Sequence, residues 1–96
     1  MDDLTAFQRD LLYMIAGIDR PYGLKVKRDL EEYYTDEINH SRLYQNMDRL
    51  VEEGLLEKGS IDDRTNLYRL TSEGRDALVD RREWEREHLR GETLSH

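Results

Sequence analysis

The chain has 96 residues, 36% of them hydrophobic and 39% charged, with six Tyr, one Phe and one Trp, enough for one domain with a small core and no deep enzyme cleft. With no cysteine, disulfide scaffolds, thiol nucleophiles and cysteine-held zinc or iron–sulfur centres are excluded. The 22 acidic residues against 15 basic ones give a net charge of −7, a sign that in itself argues against a nucleic-acid partner.

In chain order, Leu4, Phe7, Leu11, Met14 or Ile15, and Ile18 recur at three- and four-residue steps, which predicts an amphipathic helix over 4–18. Thr5 followed by Gln8 is a capping box at its start, and Asp2 and Asp3 suit the positive end of its dipole. The stretch Asp19-Arg20-Pro21-Tyr22-Gly23, around the only proline, is a turn. A second helix is predicted over 23–34 with Val26, Leu30 and Tyr33 inward, and residues 35–39 break the pattern. A third runs over 40–53, where Leu43, Met47, Leu50 and Val51 form the strongest apolar stripe in the chain, and Gly54 stops it as a C′ glycine. The period then changes. Residues 55–58 and 67–70 read as short strands flanking a polar, turn-rich tip, a hairpin. Thr71-Ser72-Glu73 caps a last helix over about 72–90, dense in Arg and Glu, with 91–96 left as a frayed tail. The expected fold is mainly α with a small β-hairpin: a winged helix-turn-helix over 1–71 and a C-terminal helix over 72–90.

On a helical wheel the third helix gathers Leu43, Met47, Leu50 and Val51 into one sector of about 100°. Ser41, Arg42, Gln45, Arg49 and Glu52 lie opposite, with Asn46 at the margin. Arginine pairs with guanine edges, glutamine and asparagine with adenine edges. Within 38–51, Arg42 and Arg49 meet a single acid, Asp48, so this stretch is locally positive in a negative chain. Any solvated helix face carries such residues. The preceding turn and the following wing favour the sharper reading, because a recognition helix offers its N-terminal half to the major groove. The candidate base readers are therefore Ser41, Arg42, Gln45, Asn46 and Arg49. Candidate backbone contacts are Tyr22, Lys25, Lys27 and Arg28 near the second helix, Tyr44 beside the apolar stripe, and Lys58, Arg64 and Arg69 on the wing. Asp62 and Asp63 would repel phosphate unless they turn aside or pair with Arg64. Tyr33, Tyr34, Tyr44 and Tyr68 could stack a ligand, although core and rim roles are commoner for such tyrosines.

In the last helix, Ala77, Leu78, Arg81, Trp84, Glu85 and His88 follow steps of three and four. A helix this charged does not bury its tryptophan alone, so Trp84 packs on the body of the protein or, as its charged rim favours, on a second subunit. Catalysis finds no constellation: His40, His88 and His96 are scattered, and HExxH, Gly-rich phosphate-loop and nucleophile-elbow patterns are absent. No cofactor is expected, and the one conceivable metal site would combine His40 or His88 with carboxylates. No apolar run approaches the roughly 18 residues of a membrane span, and the acidic start is unlike a signal peptide, so the expected setting is cytoplasmic, with no membrane partner.

Together, Pro21-Tyr22-Gly23, then Ser41-Arg42-Leu43-Tyr44 with Leu50 and Gly54-Leu55-Leu56, then Arg64 and Tyr68-Arg69-Leu70-Thr71 with Gly74-Arg75 resemble the PadR family of transcriptional regulators over residues 20–78. No single element is diagnostic; the specificity lies in their order and spacing. The acidic composition, with 12 Arg but 3 Lys, and the segment 62–66 are similar to haloarchaeal members, in which the sign of the charge reports the solvent more than the partner. The resemblance implies a winged-helix repressor or activator, double-stranded DNA as partner, a two-fold-related site, and a homodimer held largely by the single C-terminal helix. Phe7, Leu11, Leu78, Arg81, Trp84 and His88 are the candidate dimer-interface residues. No small-molecule effector is identified. One reading of another class stays open at this stage: a winged helix serving as a protein-interaction module of the transcription machinery, which would account for the negative charge directly.

Overall fold

The computed structural model describes residues 4–94, with side chains described as far as residue 90. The elements are α1 (Ala6–Gly17), α2 (Gly23–Tyr34), α3 (His40–Glu52), β1 (Leu56–Ser60), β2 (Asn66–Leu70) and α4 (Ser72–Leu94). Three helices, an antiparallel hairpin and a last helix make a winged helix, as expected from the pattern.

The capping box at α1 is present in both directions. Gln8 donates its backbone N–H to Thr5 Oγ1 at 3.1 Å, and Thr5 donates its own to Gln8 Oε1 at 3.1 Å. Asp2 and Asp3, expected near this end, lie outside the described residues. The inward face of α1 is Phe7, Leu11, Leu12 and Ile15, which pack with residues from every other element into one core. This central position corrects part of the expected dimer face. Leu11 has no accessible surface, and Phe7 and Leu78 keep 7% each, so these three are occupied inside one subunit.

Helix α2 buries Val26 and Leu30, but Tyr33 does not follow them inward and is 67% exposed. Tyr34 continues the i, i+4 row instead. Its ring stacks on Phe7, and its hydroxyl donates to Asp10 of α1. A tyrosine can take this position because its polar tip has a partner there; burial and that bond push the hydroxyl up to about 12. The turn into α3 is stapled by Glu31, whose Oε2 accepts the Ile38 N–H at 2.8 Å and pairs with Lys27 Nζ at 3.0 Å, while Ile38 plugs the core.

Helix α3 starts at Asn39, whose side chain accepts the Arg42 N–H at 3.0 Å, and encloses Leu43, Met47 and Leu50. It stops at Gly54, in the left-handed region with φ +80°. The Gly54 N–H reaches the Val51 carbonyl and the Leu55 N–H the Leu50 carbonyl, each at 3.0 Å, forming a Schellman motif.

The hairpin ladder runs from Leu56↔Leu70 to Ser60↔Asn66, further than the residue types predict. Gly59 and Ser60 read as turn residues, yet on an exposed edge their backbone can pair without contributing to the core. Beyond it, β2 also bridges to the Pro21 turn, with Tyr68 N–H donating to the Pro21 carbonyl at 3.0 Å. Tyr68 is fully enclosed and locks the wing to the body. Thr71 joins two elements: its Oγ1 accepts the Gly74 N–H at 3.0 Å to cap α4 and donates to the Gly54 carbonyl at 2.6 Å. Helix α4 continues to Leu94, so 91–94 of the expected frayed tail are helical, while 95–96 lie outside the described residues. Among the described residues no helix is long and apolar enough to cross a membrane.

Candidate nucleic-acid interface

The outward face of α3 is left open by the fold. Ser41, Arg42, Gln45 and Arg49 are exposed, and Asn46 is half-buried at the margin that the wheel assigns it. The five are not equivalent. The Arg42 guanidinium lies over the Phe7 ring, 4.0 Å from its centre. Arg49 Nε donates to Glu53 Oε1 at 3.0 Å. Asn46 Oδ1 accepts from Gln8 Nε2 at 3.1 Å, and Asn46 Nδ2 donates to the Arg42 carbonyl at 2.7 Å. An asparagine reads adenine with both ends of its amide, and here each end already makes one bond within the fold.

The starts of α2 and α3 and the wing enclose an open cleft of about 670 Å³, lined among others by Arg20, Tyr22, His40, Tyr44, Arg64 and Asn66. Tyr44 crosses it with its hydroxyl against Gly23, where a Cβ would collide with the phenol unless that side chain moved. Burial raises the Tyr44 hydroxyl above its ordinary value. The His40 ring packs on Tyr44 at 4.5 Å between centres. Sequence reasoning passed over His40 and Arg20 here. The i, i+4 spacing of His40 and Tyr44 at a helix start was the available signal for the first; only the bridge from β2 to the Pro21 turn places the second. Two exposed apolar side chains, Leu24 and Ile61, sit on either side of the same cleft.

The other candidate cations fall into two groups. Lys25 pairs with Asp29 at 3.2 Å, Lys27 with Glu31 at 3.0 Å, and Lys58 with Asp48 across the α3–β1 junction at 3.7 Å. Arg28 is exposed and makes no ion pair among the described residues. On the wing, Asp62 turns aside into its own turn, where its carboxylate accepts the Arg64 and Thr65 N–H groups at 2.8 and 2.9 Å. Those bonds hold it below the usual carboxylate range and leave the Arg64 side chain beside the cleft. Arg69 does not join this set. Strand alternation turns it to the other side of the hairpin, where it lines a second groove, of about 620 Å³, with Arg20, Arg75 and Arg82 between α1, β2 and α4.

Along α4, Arg81, Trp84 and His88 form a column. The Arg81 guanidinium is 4.1 Å from the Trp84 ring centre, the Trp84 and His88 rings are 3.9 Å apart, and His88 Nδ1 lies 2.7 Å from the Trp84 carbonyl. Arg81 Nε also stands 3.4 Å from Glu85 Oε2, within ionic range. Trp84 remains 47% exposed.

The family model of the PadR-like transcriptional regulators matches residues 11–80, from α1 into α4. The chain belongs to the PadR-like family. RosR of H. salinarum, in a crystal grown from NaBr, is 57% identical over 86% of this chain and 74% of that one, with a TM-score of 0.81. The hsRosR-SG complex is 50% identical over 97% of this chain and 89% of that one, at a TM-score of 0.85. A PadR-like transcription factor from Bacteroides fragilis, at 19% identity over 94% of this chain and 87% of that one, shares the fold with a TM-score of 0.77. No curated protein matches. The PadR-like family is one of transcriptional regulators, and in this PadR-like chain the helix-turn-helix is α2–α3 and the wing is β1–β2. Among its described residues no three His, Asp or Glu side chains converge as a metal site would require.

Proposed function

We propose that this PadR-like protein is a homodimeric regulator of transcription that reads a two-fold-related site on double-stranded DNA. Helix α3 enters the major groove and the wing flanks it. One observation carries the reading: α3 turns Leu43, Met47 and Leu50 into its own core, and the opposite face keeps Ser41, Arg42, Gln45 and Arg49 exposed, with Phe7 of α1 beneath Arg42 and Glu53 beside Arg49 among the described residues. A helix can dock in a groove only through a face that its own fold leaves free.

In this reading Ser41, Arg42 and Gln45, in the N-terminal half of α3, meet base edges, and Arg49 meets an adjacent base or phosphate. Tyr22, Tyr44, Arg28 and Arg64 hold the backbone, together with His40 in the cleft. Lys25, Lys27 and Lys58 exchange their carboxylate partners for phosphate when they take part. Trp84, with Arg81 and His88, anchors the second copy, since α4 extends past Leu78, its last core residue among those described, with an aromatic half in solvent. The setting is cytoplasmic and salt-rich, a view supported by the acidic, lysine-poor composition and the likeness to a regulator of a halophilic archaeon. In molar salt counterion release adds little to affinity, so base contacts and DNA shape carry more of the discrimination.

Selection of binding sites from random duplexes, at molar and at moderate salt, tests this. The expected product is an inverted repeat with half-sites about one turn apart, roughly 34–36 Å, bound with a shallow dependence on salt. Failure to enrich any sequence at either salt overturns it.

A further inference from the structure

The first turn of α1 reaches the reading face through two adjacent residues. A one-way chain of hydrogen bonds starts at the Thr5 N–H, which donates to Gln8 Oε1 at 3.1 Å. Gln8 Nε2 donates to Asn46 Oδ1 at 3.1 Å, and Asn46 Nδ2 donates to the Arg42 carbonyl at 2.7 Å. The neighbours dictate the orientation of both amides. Turning Asn46 over would set its NH₂ against the Gln8 NH₂ and its oxygen against the Arg42 carbonyl. One residue before Gln8, Phe7 supplies the shelf on which the Arg42 guanidinium lies, 4.0 Å from the ring centre.

Arg42 is thus held at three points. Its N–H is bonded by Asn39, its carbonyl by Asn46, and its guanidinium face by Phe7. Stacking engages the flat face of a guanidinium and leaves its N–H groups in the plane of the fork, the direction in which a guanine edge is recognised. A long side chain fixed in this way loses less freedom when it binds.

We infer that Phe7 and Gln8 are positioning residues for base reading: they act through Arg42 and Asn46, and make discrimination at the base pair that Arg42 meets depend on α1. Asn46 is then a strut and not a reader. The inference rests on the DNA-reading role of α3 proposed above.

The test compares the wild-type protein with Gln8→Glu, Phe7→Leu and Ala6→Glu. In Gln8→Glu the carboxylate still accepts the Thr5 N–H and suits a helix N-terminus, so the cap survives. The donor to Asn46 is lost. Ala6→Glu adds the same charge at an exposed neighbouring position and controls for repulsion of DNA. Each protein is titrated with the selected duplex and with a duplex altered at the base pair whose preference Arg42→Ala abolishes, and thermal midpoints are recorded alongside. Gln8→Glu and Phe7→Leu are expected to lose about fivefold or more of the wild-type preference between the two duplexes, part of what a bidentate arginine–guanine pair provides. Ala6→Glu weakens both duplexes alike. Should Gln8→Glu fold and discriminate as the wild type does, or weaken both duplexes equally like the control, the inference is overturned. If the wild-type protein itself shows no preference, it is the DNA-reading proposal that fails first, so the two failures are distinguishable.

Discussion

Arg42 is the third residue of α3, and an exposed arginine there can meet a base edge or only neutralise phosphate. In the proposed reading the guanidinium stacked on Phe7 is held ready for a base edge. Arg42→Ala is therefore expected to cost about 1–3 kcal/mol on the selected duplex and much less on random DNA, measured by fluorescence anisotropy. Equal losses on both would assign Arg42 to phosphate. Glu31 is a second residue whose surroundings make a prediction. The Ile38 N–H, then Lys27, hold its carboxyl below the ordinary glutamate range. A depressed folded value means that its stabilisation is complete above the unfolded value, about 4.3, and is lost as pH falls through the lower folded value. Glu31→Gln should lower the thermal midpoint at pH 7, and the gap from wild type should close in acid below about pH 4. A gap independent of pH would show that the charge of Glu31 does not brace the turn. Among single residues the sequence was least informative about partners: Lys25, Lys27, Lys58 and Arg49 look like open cations in the sequence and are ion-paired in the fold.

At the scale of elements, two glycines illustrate how the helices and the wing are set against each other. A Cβ on Gly74 would strike the Leu55 carbonyl oxygen, a backbone atom held between the end of α3 and β1 that cannot swing away. Gly74→Ala should therefore destabilise the fold by about 2 kcal/mol or more, as overpacking does in tight sites, read by urea unfolding. At Gly23 the obstructing group is the Tyr44 phenol, a side chain that can rotate out. The elements themselves were largely legible. The capping box of α1, the limits of α2 and the glycine stop of α3 stand where local pattern places them. Misreadings arose where a local rule had two outcomes. Tyr33 and Tyr34 fit the inward stripe about equally well, and Asp10, on another helix, settled the choice. Gly59 and Ser60 carry turn chemistry, but pairing with β2 extended the strand through them.

For the whole molecule, α4 carries the half-exposed Trp84 past the core. The 23 residues of α4 span about 34 Å at 1.5 Å per residue, and among the described residues the core reaches as far as Leu78. Trp84→Glu is expected to weaken self-association by about 2 kcal/mol or more, as loss of a buried aromatic anchor does, and to shift the protein to monomer in sedimentation at micromolar concentration. Unchanged mass with Trp84→Glu would remove the tryptophan from the interface. The number and order of the helices, the caps at Thr5 and Thr71, the glycine stop at Gly54, the wing and the apolar stripe of α3 were determined by sequence alone, because caps, glycine stops and helical periodicity operate within three or four residues. Only the tertiary structure decided that Phe7, Leu11 and Leu78 belong to one subunit's core, that Arg69 faces away from the cleft, and that Asn46 and Arg42 are tied to α1. Each of these depends on side chains that meet across elements distant in the chain, and spacing along one helix carries no information about what a second helix brings against it.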